Sequence, residues 1–353
     1  MSVKTKIACL PVAGDQNPYQ KLMMEGLNEN NDLCAFNGID DRFLGIIRTA
    51  IKYKPSFIHL DWIVSYYYRR NIILTLLSVP LFCLQIWLVR FLFGIKIVWT
   101  FHNVLPHDLP FKNIHLFCQK FLIWHCEWIR VFSLETKLTI LNQYKIKEHL
   151  VKIVPEGSFV TDYPNTITKR QALSNLNLPE SGKILLYFGL IKPYKGIIEL
   201  IDAFKHIAVD NSFLIISGKI MDHEYGQKII SLKNDRILVF DEFVSTDKVQ
   251  TFFNAADIVV SPFLKVENSG TVILSMGFSK AIIAPKMGAI AERLKNQPDL
   301  LYSDQSALKN TLMYALRKRT EELQTIGDLN YQSLQENKWS DFQACFTKQI
   351  RNT

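Results

Sequence analysis

Two short stretches of the chain place cations and backbone N–H groups where a phosphate ester can be held. The first is Tyr187-Phe188-Gly189-Leu190-Ile191-Lys192-Pro193-Tyr194-Lys195-Gly196, which leads into the amphipathic segment 197–204. A strand ends at a glycine, a loop carries two lysines, and a helix begins. That arrangement brings ammonium and N–H groups to a diphosphate, and the competing reading is a tight turn with solvated lysines. The second is Ser261-Pro262-Phe263 followed by Glu267-Asn268-Ser269-Gly270-Thr271 and an apolar helix. Gly270 permits close approach of a ligand to the helix N-terminus, whose unpaired N–H groups favour an anion. The hydroxyls of Ser269 and Thr271 add donors. The plainer alternative is an ordinary Ser/Asn helix cap.

The first half offers proton-transfer chemistry. Val98-Trp99-Thr100-Phe101-His102-Asn103 reads as a strand running into a loop, with His107 a few residues on. An imidazole at the C-terminal end of a strand can donate to developing charge or accept a hydroxyl proton. Asn103 and His107 are cleft-lining candidates beside it. Asp15, Asp61 and Glu156 follow predicted strands. Each is a candidate base toward a hydroxyl, and each is equally readable as a cap or a solvated charge. Histidines and acids show no ligand spacing of the H-x-x-x-H kind, so no metal site is expected.

These residues need a scaffold that collects strand ends. Buried strands are predicted at 6–13, 57–60, 95–101, 129–132 and 152–155, with helical stretches between them. Residues 159–180 read as a linker with a short helix. The alternation restarts with strands at 183–188, 212–217, 236–240, 257–261 and 282–284 and helices at 196–208 and 270–279. Such alternation predicts parallel sheets covered on both faces, and 353 residues suit two domains. Two doubly wound halves facing across a cleft would bind ligand at their strand C-terminal ends.

The two motifs of the second half together resemble the C-terminal domain of family-4 glycosyltransferases of the GT-B fold, well over 184–292 and more loosely over the whole chain. The resemblance implies an α/β architecture of two Rossmann-like domains. The bounds are 1–158 for an acceptor domain, 159–180 for the linker, 181–335 for a donor-nucleotide domain, and 336–353 for a helix returning to the first domain. It implies that Lys195 binds the donor diphosphate and that Glu267 contacts the donor sugar. His102 matches the strand-end loop that faces the donor, and Glu156 lines the cleft where relatives often carry His-Gly. Three positions depart from the pattern. Leu190 stands where an arginine is usual, with Lys192 able to supply the cation. Ser275 stands where a second glutamate grips the ribose. Lys280 replaces a small residue. The implied activity is transfer of a hexosyl group from a UDP- or GDP-sugar to a glycan or lipid-linked acceptor, without metal or cofactor. A sugar-nucleotide 2-epimerase of the same fold and a catalytically silent partner subunit are the rivals.

Charge bears on partners. Residues 1–158 hold 18 Lys/Arg against 12 Asp/Glu and the remainder 23 against 21, so most of the net +8 lies in the first half. No helix-turn-helix, zinc-finger or Arg-rich pattern points to nucleic acid. Residues 72–89, IILTLLSVPLFCLQIWLV, carry no charge and are flanked by Tyr66, Tyr67, Tyr68, Arg69 and Arg70 before and Arg90 and Lys96 after. They read as a buried core helix, an interfacial helix or a short span. An anionic membrane surface is the expected partner. The N-terminus shows no signal-peptide pattern, and six scattered cysteines suit reduced thiols, so a cytoplasmic protein peripheral on the inner membrane face is expected. A nucleophile elbow, a P-loop and a dinucleotide fingerprint are all absent, which argues against hydrolase, NTPase and dehydrogenase chemistry.

Overall fold

The computed structural model describes residues 4–14, 17–103, 110–207 and 211–350. Asp15 and His107 lie outside them. The chain forms two compact units, one of residues 1–157 with 338–353 and the other of 158–337.

The first unit holds strands β1 (Thr5–Leu10), β2 (Leu33–Asn37), β3 (Phe57–Leu60), β4 (Lys96–Thr100), β5 (Cys126–Val131) and β6 (Val151–Ile153). They form one parallel sheet in the order β2-β1-β3-β4-β5-β6. The second unit holds β7 (Lys183–Phe188), β8 (Ser212–Ser217), β9 (Ile237–Phe240), β10 (Ile258–Val260), β11 (Ala281–Pro285) and β12 (Leu301–Tyr302), in the order β12-β11-β10-β7-β8-β9. Strands such as Ile258-Val259-Val260 are buried on both faces, which is why they read as unbroken apolar runs. The edge strand β2 alternates buried and half-exposed residues between polar flanks, and sequence patterning misses it. Each sheet reverses its winding once, between β1 and β3 in the first unit and between β7 and β10 in the second. The loops after those strands are where an open parallel sheet leaves a ligand crevice.

The stretch 159–180, predicted as a linker, belongs to the second unit. Thr168 and Gln171 form a capping box on the helix Lys169–Asn175, and the Gln250 side-chain oxygen accepts from the Thr166 backbone N–H at 2.8 Å. The Gln250 tie has no local sequence signature, since its partners are about eighty residues apart. The uncharged run folds as the helix Ile72–Trp87, continued by one π-turn over Leu88–Leu92, with Pro80 inside it. One stripe of that helix, including Phe82, Ile86 and Val89, enters the first unit's core.

The final helix, Ser340–Ile350, belongs to the first unit. Phe342 and Phe346 are fully buried there against Trp128, with ring centroids at 5.6 and 5.3 Å. Phe342 also lies 5.3 Å from the His59 ring and 4.3 Å from the Arg130 guanidinium carbon. Replacing Phe342 with Ala should therefore cost the first unit about 3–5 kcal/mol. Urea unfolding followed by tryptophan fluorescence measures this, and an unchanged midpoint would mean the helix does not hold the unit together.

Candidate functional site

The first unit gathers its polar chemistry around Asp61, the residue that follows β3. Its side chain is fully buried and accepts from three donors: the Tyr19 hydroxyl at 3.1 Å, the Gln20 amide at 3.3 Å and His102 Nε2 at 2.9 Å. Trp99 Nε1 donates to the Asp61 backbone carbonyl at 3.1 Å. Burial opposes ionisation of this carboxyl. The neighbouring His59 and His102, with the hydrogen bonds from His102 and Tyr19, outweigh it and hold the acid below the usual carboxylate range.

His102 still meets solvent, with 13% of its side chain exposed. Trp62 stacks on its ring at 4.7 Å and 22°, while Tyr19 and Phe132 pack at 5.2 and 5.4 Å. With Nε2 committed to the carboxylate and the ring clamped by aromatics, its orientation is set before a substrate arrives. Arg130, fully buried on β5, donates to the carbonyls of Val154 and Pro155 and to the Tyr19 hydroxyl. It ties the loop after β6 to the donor that grips Asp61. Glu156 is buried on that loop. Tyr19 is pushed to a high pKa by its burial first, then by Asp61, with Glu156 adding to the effect. Asn103 follows His102 and is half-buried.

In the second unit the structure brings the two candidate phosphate-binding motifs together. The Gly189 backbone is at φ 128°, and a Cβ there would lie 3.2 Å from Thr271 Oγ1. Ser269 caps the helix Gly270–Gly277 by accepting from the Val272 N–H, so the first N–H groups of that helix open beside the glycine loop. Gly196, at φ 69°, presses so closely on the Pro262 carbonyl that a Cβ would sit 2.0 Å from its oxygen. The lysine loop is thus pinned to the Ser261-Pro262-Phe263 loop, and Tyr194 O accepts from the Leu264 N–H at 3.0 Å. Lys195 Nζ lies 4.4 Å from the Phe263 ring and 5.1 Å from the Tyr194 ring, with Lys192 Nζ 6.0 Å from Tyr194. Glu267 is anchored through its backbone carbonyl, which accepts from the Ala289 N–H at 2.8 Å. The Asn268 side-chain oxygen is buried with no hydrogen-bond partner among the described residues, as an acceptor awaiting a ligand donor would be.

The three departures have structural consequences. Ser275 is fully buried and donates to the Thr271 carbonyl at 2.7 Å, so its hydroxyl is spent inside its own helix. Lys280 follows that helix half-buried, donates to the Ala256 carbonyl at 3.0 Å, and is pushed down by desolvation to about 8. Leu190 is partly exposed, and its carbonyl accepts from the Tyr187 hydroxyl. Sequence reading missed Tyr19, Gln20, Trp62 and Arg130. A buried arginine within the strand run Ile129-Arg130-Val131 was the one available signal, because a charge there needs partners.

His59 gives the first unit a pH dependence. It is fully buried, its Nε2 lies 2.7 Å from Thr100 Oγ1, and burial pushes it down to about 4. The unfolded chain takes up this proton below about pH 6.5, whereas the folded one refuses it until about pH 4. Stability should fall as pH drops through that window, by roughly 3 kcal/mol in full, with the loss of ionised Asp61 extending the decline below it. Melting temperature against pH should be flatter in His59→Gln than in the unmodified chain. Identical profiles would show that His59 is not the group responsible.

Comparison with known proteins places this geometry. The family model for glycosyl transferases group 1 matches residues 168–328. A lipopolysaccharide 1,2-N-acetylglucosaminetransferase of Salmonella typhimurium is 28% identical over 215 residues, 56% of this chain and half of that protein. A GDP-mannose:glycolipid 4-beta-D-mannosyltransferase of Xanthomonas campestris is 23% identical over 79% of this chain and 73% of that one. Among solved structures, sucrose-phosphate synthase from Thermosynechococcus elongatus superposes with a TM-score of 0.76 at 17% identity, covering 99% of both chains. Anabaena HepE in complex with UDP and glucose superposes at 0.74 and 14%, covering 99% of this chain and 100% of that one. The group 1 match lies in the second unit, and the GT-B fold of these neighbours runs along the length of the chain.

Proposed function

We propose that this protein transfers a hexosyl group from a UDP- or GDP-sugar to a hydroxyl of a glycan or lipid-linked acceptor, at the inner face of a membrane and without a metal ion. The observation that carries the reading is the junction of Gly189 with Thr271 at the N-terminus of the helix Gly270–Gly277. The helix's backbone N–H groups and the Ser269 and Thr271 hydroxyls stand beside Gly189, and the lysine loop that follows it is pinned by Gly196 to the Ser261-Pro262-Phe263 loop, donors of the kind a diphosphate needs. Lys192, Lys195 and the helix N-terminus meet the charge that develops on the leaving diphosphate, each well-placed donor contributing about 2–4 kcal/mol. Glu267 holds the sugar. Ser275 cannot grip a ribose, so the buried acceptor oxygen of Asn268 is the group we assign to the donor's hydroxyls.

The first unit supplies the acceptor side. His102 faces the reacting hydroxyl, and Asp61 fixes its ring and the nitrogen that carries the proton. The relatives support the substrate classes. One is named for GDP-mannose and a glycolipid, one for lipopolysaccharide, and a neighbour of the same fold is seen with UDP and glucose. The exposed apolar stripe of the helix Ile72–Trp87 supports a peripheral membrane location.

Calorimetry with UDP- and GDP-sugars tests the donor site. Lys195→Ala should weaken donor binding roughly ten- to hundredfold, the value of one charge-assisted contact. Glu267→Gln should instead cut turnover and leave binding of the free nucleoside diphosphate intact. Failure of the unmodified, folded chain to bind any nucleotide sugar would move the reading to a catalytically silent subunit.

Asp61→Asn should lower kcat about a hundredfold or more with donor binding unchanged, because orientation of a general base accounts for that order of rate. His102→Ala should remove the same factor, and the double variant should lose little more. Additive losses would show that the two side chains do not act as a pair.

A further inference from the structure

We infer that the first unit carries a single membrane-docking face built from two helices, Ile72–Trp87 with its π-turn and Lys112–His125, and that it lies in the interface of an anionic bilayer without crossing it. The inference deepens the membrane-associated reading above and rests on it.

The helix from Ile72 to Leu92 is apolar on two opposite stripes. One stripe, with Phe82, Gln85, Ile86 and Val89, is buried in the unit. The other, Ile73, Leu77, Leu84, Trp87 and Phe91, recurs at helical spacing and points outward, with Leu77 68% and Phe91 63% exposed. A surface helix bathed in water has a polar outer face. The second helix extends the apolar face, and this extension has no trace in the hydropathy of the sequence. The two helices pack together. Phe91 meets the His125 ring at 5.7 Å, His125 stacks on Phe121 at 4.4 Å, and Phe121 meets Phe117 at 6.3 Å. Trp124 stands beside them, 67% exposed, with Lys120 Nζ 5.1 Å from its ring.

Length alone would let the first helix span a bilayer, since Ile72–Leu92 has 21 residues and a mean hydropathy of 2.4. Topology forbids it. The helix is the crossover between β3 and β4, which are parallel neighbours in one sheet, with Phe57 opposite Lys96. Gln85 reinforces the attachment, donating to the Phe43 carbonyl at 2.7 Å and accepting from the Ile47 N–H at 3.2 Å. A span would have to pull this stripe out of the core.

Charge selects the occupant. Between Val64 and Glu127 the chain has six Lys/Arg (Arg69, Arg70, Arg90, Lys96, Lys112, Lys120) and two acids, Asp108 and Glu127, and Glu127 pairs with Arg90 at 3.3 Å. The remaining excess of basic residues suits anionic headgroups, each basic residue near them adding attraction. Two copies of the same basic face repel, which disfavours a homodimer. Tryptophan and lysine side by side at the edge of an apolar patch match the interfacial layer, where amphipathic rings and snorkelling amines reside.

Flotation with vesicles of phosphatidylcholine containing about one-third phosphatidylglycerol tests the inference. The full chain should float with these vesicles, less with phosphatidylcholine alone, and come off partly in about 0.5 M salt. Leu77→Asp and Trp124→Asp should each lower the bound fraction roughly tenfold. Both side chains are exposed, so donor hydrolysis in vesicle-free buffer should stay at the level of the unmodified chain. As a check free of folding effects, brominated lipid should quench the unmodified protein more than Trp124→Phe. No flotation, flotation indifferent to both substitutions, release by detergent alone, or a solution dimer that covers this face would each overturn the inference. Intact flotation without any donor hydrolysis would tell against the transferase reading and still support the surface.

Discussion

A carboxylate buried out of contact with water must be met by donors from every side, and in the first unit Asp61 imposes that requirement. Its partners come from separate segments. Tyr19 and Gln20 stand on the helix after β1, and His102 follows β4, while Trp99 on β4 holds the Asp61 backbone. Arg130 on β5 then holds Tyr19 and the loop after β6. One charge therefore ties together the ends of β1, β3, β4, β5 and β6. Removing a single partner would leave a buried charge short of donors, a far larger cost than the loss of one surface contact. The same constraint holds His102 in a fixed hydrogen bond to Asp61 although it borders solvent.

The second unit reaches an ordered site by the opposite route, with close backbone approach in place of a buried charge. Gly218 lies so near the Gly189 carbonyl that a Cβ would come within 1.9 Å of its oxygen, and Gly196 is equally tight on Pro262. Loops after β7, β8 and β10 are drawn together by the absence of side chains. Beside them the Lys195 ammonium lies over the Phe263 and Tyr194 rings. Ser275 fits this economy of space, since its hydroxyl folds back onto the Thr271 carbonyl and the helix N-terminus remains unobstructed.

The helix Ile72–Trp87 shows how one segment can serve both core and surface. Its inner stripe packs on the sheet and its outer stripe remains apolar. Water would penalise the outer stripe, and that penalty becomes a driving force once a lipid surface is present.

Much of the architecture was legible in the sequence because a parallel sheet covered on both faces leaves unbroken apolar runs. Ile184–Phe188 within β7 and Ile258–Val260 announce themselves in this way. The edge strand β2 and the two-residue β12 do not, because a half-exposed or minimal strand has no such signature. The glycine-lysine loop and the Ser-Gly-Thr helix start were visible because their chemistry is local and their spacing is fixed along the chain. His102 and Asp61 were visible only as separate candidates. Nothing along the chain relates residues 41 positions apart, and the pairing was decided by β3 and β4 lying side by side. Tyr19, Gln20, Trp62 and Arg130 belong to the same class. Their roles arise from the need to satisfy a buried charge, and that need exists only once the chain has folded around it.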